Sequence, residues 1–377
     1  MDNTDLLYRR AAGRSADEQA TTRGWTRSKR GRLRSIGLVV AIVASSASSS
    51  QPAGAEVDVV PAPLGQTMAT DARGTCPIDY TCTGVAVFCD EVPGLVATVA
   101  LKFPTDPAVP TRGLVLFVTG ADGVVFYSGL DPSMTESGRV MDDIRNQGFV
   151  VAQFRWDSPG WQTSPIDQPN GPATQACLPA TVMSYVHDTY FVPLGITRGR
   201  RKCGFCVTGN SGGGSVLGYA LARYGLDPMI ARAVLSSGPT HASLTKGCYS
   251  EDGYKYATDN RRHIDLTYGF ADDTSLGPCN QRDPAYADEF ERDSLVSSTV
   301  AGDFAHPDTA VTMVMGELDS DRWHNMAQLY EDVLVGAGTI ATTVVVPGAG
   351  HNLRDTPAGM GAIRAALLNP LAPPSGG

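Results

Sequence analysis

The chain has 377 residues, of which 42% are hydrophobic and 18% charged, and its formal net charge is −9 at pH 7. This length and composition predict one large globular domain or two small ones. The acidic balance, with no basic stripe after residue 55, argues against a nucleic-acid partner.

The first 55 residues predict a secretory signal peptide with an unusually long basic region at its start. Residues 27–34 are rich in Arg and Lys, residues 36–44 are apolar, and Ala53-Gly54-Ala55 forms an A-x-A cleavage site. The apolar run is about half the ~20 residues that span a bilayer, so a stable membrane anchor is disfavoured. Cleavage near Ala55 would leave a secreted or periplasmic protein. Its net charge would be −14, because nine basic and four acidic residues are removed.

All eight cysteines follow residue 55, and an even number in an exported chain predicts disulfide bonds. Cys248 and Cys279 bracket one polar insertion and could close it. Cys76 and Cys82 lie close together in a turn-rich segment and are a second candidate pair.

Cys203 and Cys206 match a C-x-x-C redox motif. The motif begins a strand rather than a helix, and the export signal favours structural pairing. No second C-x-x-C motif or histidine pair has the spacing of a zinc finger, so the sequence predicts no metal site.

The predicted elements begin after an irregular N-terminal arm, residues 56–83, which is rich in Pro, Gly and Asp. Residues 85–88 and 95–103 follow as two strands, and the second alternates in polarity as at a sheet edge. Residues 113–119 form a continuous apolar run, which is typical of a strand buried on both faces.

Helices and strands alternate through the middle of the chain. Residues 133–147 predict a helix and residues 149–154 a buried strand. A long loop at residues 155–172 leads to a helix over residues 174–190, which Pro179 must kink or delay.

A polar segment, residues 240–307, interrupts this rhythm, and we interpret it as a cap-like insertion. Further strands are predicted at residues 205–208, 231–236, 310–316 and 340–346, and further helices at residues 323–335 and 356–368. This alternation predicts an α/β fold for residues 56–377, with a mostly parallel central sheet and helices on both faces. The disulfide-containing insertion would precede the last two strands.

A tight turn of small residues joins the strand at residues 205–208 to the start of a helix, within the motif Gly209-x-Ser211-x-Gly213. Such a strand–turn–helix corner is typical of a nucleophile elbow, which exposes the serine hydroxyl. The glycines let the strand and helix pass closely, and the Gly212 amide would face a developing oxyanion at the helix N-terminus.

Two later strands also end in residues with catalytic chemistry. Asp319 and Asp321 follow the strand at residues 310–316, and His351 follows the strand at residues 340–346. Ligands of parallel sheets bind beyond the carboxyl ends of the strands. A serine nucleophile needs a base within hydrogen-bond reach, and the base needs a carboxylate that orients it. The candidates for nucleophile, acid and base occur here in the chain order Ser211, Asp319, His351.

These residues give the chain a resemblance to the α/β-hydrolase superfamily over residues 84–369, apart from the insertion. The resemblance rests on Gly209-Asn210-Ser211-Gly212-Gly213, Gly316-Glu317-Leu318-Asp319 and Gly348-Ala349-Gly350-His351. It implies an α/β-hydrolase fold with Ser211 as nucleophile, His351 as general base and acid, and Asp319 as the orienting acid. The family's G-x-x-D spacing favours Asp319 over Asp321.

The resemblance also implies two oxyanion-hole donors. The first is the Gly212 N–H, and the second comes from the loop after the strand at residues 113–119. Ala121 N–H is the expected second donor, with Gly120 next. The histidine that the family carries in this loop is replaced here by Thr119.

Four further residues follow predicted strand ends and could bind substrate. Tyr127, Trp156 and Trp161 could form an aromatic wall, although they could equally be loop anchors packed on the core. His241 could line the pocket, whereas the other histidines outside the triad are interpreted as solvated or satisfied residues.

The sequence thus predicts an exported serine hydrolase that cleaves a carboxylic ester, small or polymeric, through an acyl-enzyme. No cofactor or metal is required. A serine peptidase or acyltransferase with the same triad is one alternative. Another is a non-catalytic binding protein on the same fold, which the presence of all three triad residues disfavours.

Overall fold

A computed structural model describes residues 59–166, 169–196, 202–249, 253–271 and 276–369. The predicted signal peptide, including Ala55, lies outside these residues and stays a prediction. Within the described ranges, no helix has the length and apolar character needed to cross a membrane.

The described residues form one nine-stranded sheet. Its strands are β1 Gln66–Thr70, β2 Thr81–Cys89, β3 Val92–Lys102, β4 Gly113–Val118, β5 Phe149–Trp156, β6 Phe205–Asn210, β7 Arg232–Ser236, β8 Ala310–Gly316 and β9 Ile340–Val346. They pair in the order β1-β2-β3-β5-β4-β6-β7-β8-β9. The pairings from β1 to β5 are antiparallel, and those from β5 to β9 are parallel.

The same ranges contain ten α-helices. They are α1 Glu136–Asn146, α2 Gly171–Gln175, α3 Cys177–Val186, α4 Gly212–Ala222, α5 Leu244–Tyr249, α6 Thr258–Thr267, α7 Pro278–Gln281, α8 Ala287–Asp293, α9 Asp321–Gly336 and α10 Pro357–Leu368. One π-helical turn, His187–Phe191, follows α3.

The two faces of the sheet pack against different helices because successive side chains of a strand point in opposite directions. On β4, Leu114 and Leu116 belong to the core that contains residues of α3, α4 and α9. Val115 and Phe117 belong to the opposite core, with residues of α1 and α10. Every residue of β4 is buried, as the continuous apolar run predicts.

The structure corrects the prediction for the N-terminal arm. Residues 56–83 were expected to be irregular, but Gln66–Thr70 forms β1 and pairs antiparallel with β2, which already begins at Thr81. All but one residue of β1 is exposed, and the last is half-buried. A strand with no buried face has no hydrophobic period for the sequence to reveal.

The helix expected over residues 174–190 is also divided. α2 ends at Gln175 and α3 begins at Cys177, so the helix is interrupted at Ala176, before Pro179 rather than at it. Pro179 is the third residue of α3, where its missing N–H costs no intrahelical hydrogen bond.

Four disulfides join the cysteines, as the even count predicts: Cys76–Cys82, Cys89–Cys177, Cys203–Cys206 and Cys248–Cys279. The first and last match the expected pairs. Cys248–Cys279 ties α5 to α7 within the polar insertion, which is built of short helices from α5 to α8.

Candidate active site

Ser211 occupies a strained corner between β6 and α4. Its backbone angles, φ 55° and ψ −117°, lie in a region that residues other than glycine rarely adopt. Its N–H donates to the Ser236 carbonyl at 2.7 Å, and its carbonyl accepts from Gly214 N at 2.9 Å, so the corner is held on both sides. A Cβ on Gly209 would lie 2.2 Å from the Gly213 carbonyl oxygen. Glycine is therefore required where the strand passes the helix.

Ser211, His351 and Asp319 are joined by hydrogen bonds. His351 Nε2 lies 3.0 Å from Ser211 Oγ. On the other side of the ring, Nδ1 lies 2.9 and 3.1 Å from the two carboxylate oxygens of Asp319. The Asp319 side chain is 3% exposed, whereas that of His351 is 34% exposed. A buried carboxylate on one side of a partly exposed imidazole, with a serine hydroxyl on the other side, has the geometry of a Ser-His-Asp triad.

The two candidate acids occupy different environments. Asp319 lies in the turn after β8, where its backbone N–H donates to the Gly316 carbonyl at 3.0 Å. Its carboxylate also accepts from Ser320 N at 2.8 Å, which fixes it toward His351. Asp321 is exposed at the first position of α9. The geometry therefore gives the orienting position to Asp319.

His351 is held through a hydrogen bond to its backbone carbonyl and by an aromatic neighbour. Ser237 Oγ donates to the His351 carbonyl at 2.6 Å. The Trp323 ring lies 5.8 Å from the imidazole, centroid to centroid, at an angle of 36°. These contacts hold the loop after β9 against the end of β7 and the start of α9.

The loop after β4 carries the expected second oxyanion donor. Ala121 has a φ of 50°, and the Gly120 carbonyl accepts from Gly123 N at 3.2 Å. In a trans peptide the N–H of Ala121 points away from that carbonyl. A Cβ on Gly212 would lie 3.0 Å from Ala121 N, so the two candidate amides are close neighbours. A Cβ on Gly120 would lie 2.6 Å from the Asn210 carbonyl oxygen, so this loop passes tightly over the elbow.

Trp156 and Trp161 anchor this loop instead of forming an exposed aromatic wall. Both are 1% exposed. Trp161 Nε1 donates to the Ala121 carbonyl at 3.0 Å, and Trp161 N donates to the Asp122 carbonyl at 3.1 Å. Trp156 N donates to the Gly123 carbonyl at 2.9 Å. The loop-anchor alternative is thus the one that the contacts support.

Tyr127 lies in the core, so the structure does not support it as a residue of the substrate wall. It is 2% exposed and packs 5.3 Å from the Phe117 ring, with its hydroxyl 3.9 Å from Met360 Sδ. Burial raises the pKa of the Tyr127 hydroxyl to about 12.

A cavity of about 100 Å³ opens beside Ser211, Gly212 and Ala121. His241 lines it, as expected, and is 4% exposed. Burial, and to a smaller extent His263, lower the pKa of His241 to about 3, so the imidazole is neutral.

Other lining residues escaped the sequence reasoning. Gln162 comes from the loop after β5, Asn260 and His263 come from α6 of the insertion, and Trp323 comes from α9. Gln162, Asn260 and His263 stand in segments without apolar periodicity, and no motif marks them. Trp323 lies in a helix that the sequence predicts, but no motif marks it as a cavity residue. Because Asn260 and His263 belong to the insertion, the insertion supplies part of the cavity wall beside Ser211.

A scan against models of protein families found no match, and a search of curated proteins found no relative. Among solved structures, a puromycin hydrolase aligns with a TM-score of 0.51 at 15% identity, over 78% of this chain and 40% of that one. Carboxyl esterase 2 from the fungus Tuber melanosporum gives 0.47 at 15% identity, over 78% and 88%. A bacterial heroin esterase gives 0.47 at 18% identity, over 77% and 85%. The chain thus has the α/β-hydrolase fold, as predicted.

Proposed function

We propose that this protein is a serine hydrolase that cleaves a carboxylic ester through an acyl-enzyme. The observation that carries the proposal is the hydrogen-bonded chain from Ser211 Oγ through His351 to the buried Asp319 carboxylate. The adjacent amides of Gly212 and Ala121 support it, because they can stabilise an oxyanion.

In the first step, Ser211 Oγ attacks the acyl carbon and gives its proton to His351 Nε2, 3.0 Å away. The imidazolium that forms carries its second proton on Nδ1, which faces the Asp319 carboxylate at 2.9 Å. Asp319 remains ionised throughout and stabilises the charge on the ring.

The carbonyl oxygen of the substrate becomes an oxyanion in the tetrahedral intermediate. The N–H groups of Gly212 and Ala121 would bind it, and the N-terminus of α4 adds a favourable dipole. Each donor of this kind is worth about 10²- to 10³-fold in kcat in other hydrolases. The Trp161 indole N–H donates to the Ala121 carbonyl and so fixes the peptide group between Ala121 and Asp122, next to the proposed donor.

His351 then protonates the leaving alcohol, and the ester C–O bond breaks to leave an acyl group on Ser211. Water enters, gives a proton to His351 and attacks the acyl carbon. Collapse of the second intermediate returns the proton to Ser211 Oγ and releases the carboxylic acid. Neither step requires a cofactor or a metal.

Export belongs to the same proposal. We infer that residues 1–55 are a cleavable signal peptide, with cleavage near Ala55, and that the mature protein is secreted or periplasmic. The four disulfides support this, because such bonds persist in oxidising compartments. The expected partner is an ester substrate, and neither a nucleic acid nor a stable membrane anchor is part of the proposal.

The proposal is tested by comparing hydrolysis of a short aryl ester with hydrolysis of the matching anilide. Wild type should turn over the ester far faster, and Ser211→Ala and His351→Ala should each lower kcat by about 10⁴- to 10⁶-fold. Faster turnover of the anilide would favour the peptidase alternative. Ester turnover that survives in both variants would refute the triad.

A further inference from the structure

The cavity beside Ser211 is too small for a long substituent. Its volume of about 100 Å³ is far below the ~300–1,000 Å³ of pockets for drug-sized ligands. Because a water molecule takes up about 30 Å³ of liquid volume, the cavity corresponds to roughly three waters, or a group of three to four non-hydrogen atoms. The part of a substrate that enters it must therefore be short.

The cavity is suited to the acyl side of an ester. Its lining residues include the proposed nucleophile, Ser211, and the two residues that carry the proposed oxyanion donors, Gly212 and Ala121. His351 is not among the described residues that line it. As the general acid, His351 must face the leaving alcohol in order to protonate it. The leaving group therefore belongs on the His351 side, and the acyl chain belongs in the cavity.

One face of α6 forms a wall of this cavity. Asn260, His263 and Ile264 line it, and their spacing of three and four residues puts them on the same side of the helix. Ile264 is 1% exposed, whereas Asn260 and His263 are half-buried. The wall is thus apolar at its buried end and polar where it approaches solvent.

The part of the wall that follows β7 has little freedom to move. Thr240 lines the cavity and is buried. Its N–H donates to Ser215 Oγ of α4 at 2.8 Å, and its carbonyl accepts from the Tyr256 hydroxyl at 2.7 Å. Tyr256, a second lining residue, packs so closely on α5 that a Cβ on Gly247 would lie 2.3 Å from its ring. These contacts oppose any shift that would admit a longer chain.

We propose that this face of α6 limits the acyl chain, so that the preferred substrates are esters of straight-chain acids of about two to four carbons. The inference rests on the proposed ester hydrolysis at Ser211. In a butanoyl group three carbons follow the carbonyl carbon, which matches a space of roughly three to four atoms. A longer chain must displace Ile264 or extend along Asn260 and His263, where alkyl carbon would cover polar groups without bonding to them.

A series of 4-nitrophenyl esters from acetate to octanoate tests the limit, because only the acyl chain changes and the leaving group stays the same. Release of 4-nitrophenolate, measured below KM and below the concentration of micelle formation, gives kcat/KM. One methylene that a closed pocket cannot accept is worth about tenfold or more. Wild type should therefore hydrolyse the butanoate at least about tenfold faster than the hexanoate.

Ile264→Ala removes three carbon atoms from the wall, more than the two methylenes by which a hexanoyl chain exceeds a butanoyl chain. The ratio of butanoate to hexanoate should fall to about twofold or less, through faster hydrolysis of the hexanoate. Leu244→Ala is the matched control, since Leu244 is buried in α5 of the same insertion and is not among the residues that line the cavity. It should keep the wild-type ratio.

His263→Ala gives a second reading of the same wall that does not depend on truncating a buried side chain. His263 is half-buried, so its loss opens the end of the wall that approaches solvent. The ratio of butanoate to hexanoate should fall to about half the wild-type value or less. Asp259→Ala is its control, because Asp259 is exposed on α6 and is not among the lining residues. It should leave the ratio unchanged.

Labelling by a fluorophosphonate separates the two proposals. If wild type and the α6 variants label at Ser211, the hydrolase proposal stands, and the ester ratios alone decide the acyl limit. Equal kcat/KM for butanoate and hexanoate in wild type would overturn the limit. So would a wild-type ratio in His263→Ala and in folded Ile264→Ala. Failure of wild type to label would instead overturn the hydrolase proposal on which the limit rests.

Discussion

Replacement of Asp319 by Asn removes the charge of the orienting carboxylate while keeping its shape. The Asp319 oxygens lie 2.9 and 3.1 Å from His351 Nδ1. The Asp319 side chain is 3% exposed, so water cannot readily take the place of its carboxylate beside the imidazole. A neutral amide cannot stabilise the imidazolium, and its N–H₂ can hold the wrong tautomer. We expect kcat to fall by about 10⁴-fold, which equals about 5.4 kcal/mol of activation free energy.

Initial rates on a soluble short-chain ester measure this effect, with thermal unfolding followed in parallel to show that the variant is folded. Asp321→Asn is the matched control, because Asp321 is exposed at the first position of α9. It should keep kcat within about twofold and lose only ~0.3–1 kcal/mol of stability from the helix dipole. An orienting role for Asp319 is refuted if Asp319→Asn keeps more than about a tenth of the wild-type rate. It is also refuted if Asp321→Asn loses as much activity.

Three further predictions concern the supports of the site. Trp161→Phe removes the indole N–H that holds the loop after β4 at the Ala121 carbonyl, so kcat should fall about tenfold with little change in KM. Serines in place of Cys248 and Cys279 should lower the unfolding free energy in denaturant melts by about 3 to 4 kcal/mol, because this bridge closes a long loop. Gly209→Ala should abolish soluble folded protein, since its Cβ would lie 2.2 Å from a backbone oxygen. Its matched control is Gly361→Ala in α10, which has open space around its Cβ and should gain ~0.5–1 kcal/mol of stability.

Each of these has a result that would contradict it. An unchanged kcat in Trp161→Phe would mean that the loop needs no anchor. A denaturation midpoint unaffected by loss of the Cys248–Cys279 bridge would mean that the insertion is held by packing alone. Equal yields of Gly209→Ala and Gly361→Ala would contradict the close approach of strand and helix at the elbow.

The sheet and the cluster of Ser211, His351 and Asp319 were predictable because both leave local signals in the sequence. β4 to β8 are buried strands, so their apolar runs identify them without tertiary information. Parallel strands end at one edge of the sheet, so residues that follow different strands can be expected to meet there. Ser211, Asp319 and His351 lie far apart in sequence, yet Ser211 and Asp319 each lie within hydrogen-bond distance of His351.

The cavity wall and the edge of the sheet were not predictable in the same way. β1 is exposed along nearly its whole length and has no apolar face. Gln162 lies in a loop and Asn260 in a short polar helix, so neither stands in a pattern that periodicity detects. The strand-end rule placed Trp161 near the site but could not give the direction of its indole, whose N–H donates to the Ala121 carbonyl.

Intact-mass spectrometry after incubation with a fluorophosphonate tests most directly whether Ser211 is an activated nucleophile. We expect a single covalent adduct on the wild-type protein, mapped by peptide digestion to Ser211, with no adduct on Ser211→Ala and very slow labelling of His351→Ala. A folded wild-type protein that gains no adduct, or an adduct that maps to another residue, would contradict the proposed mechanism.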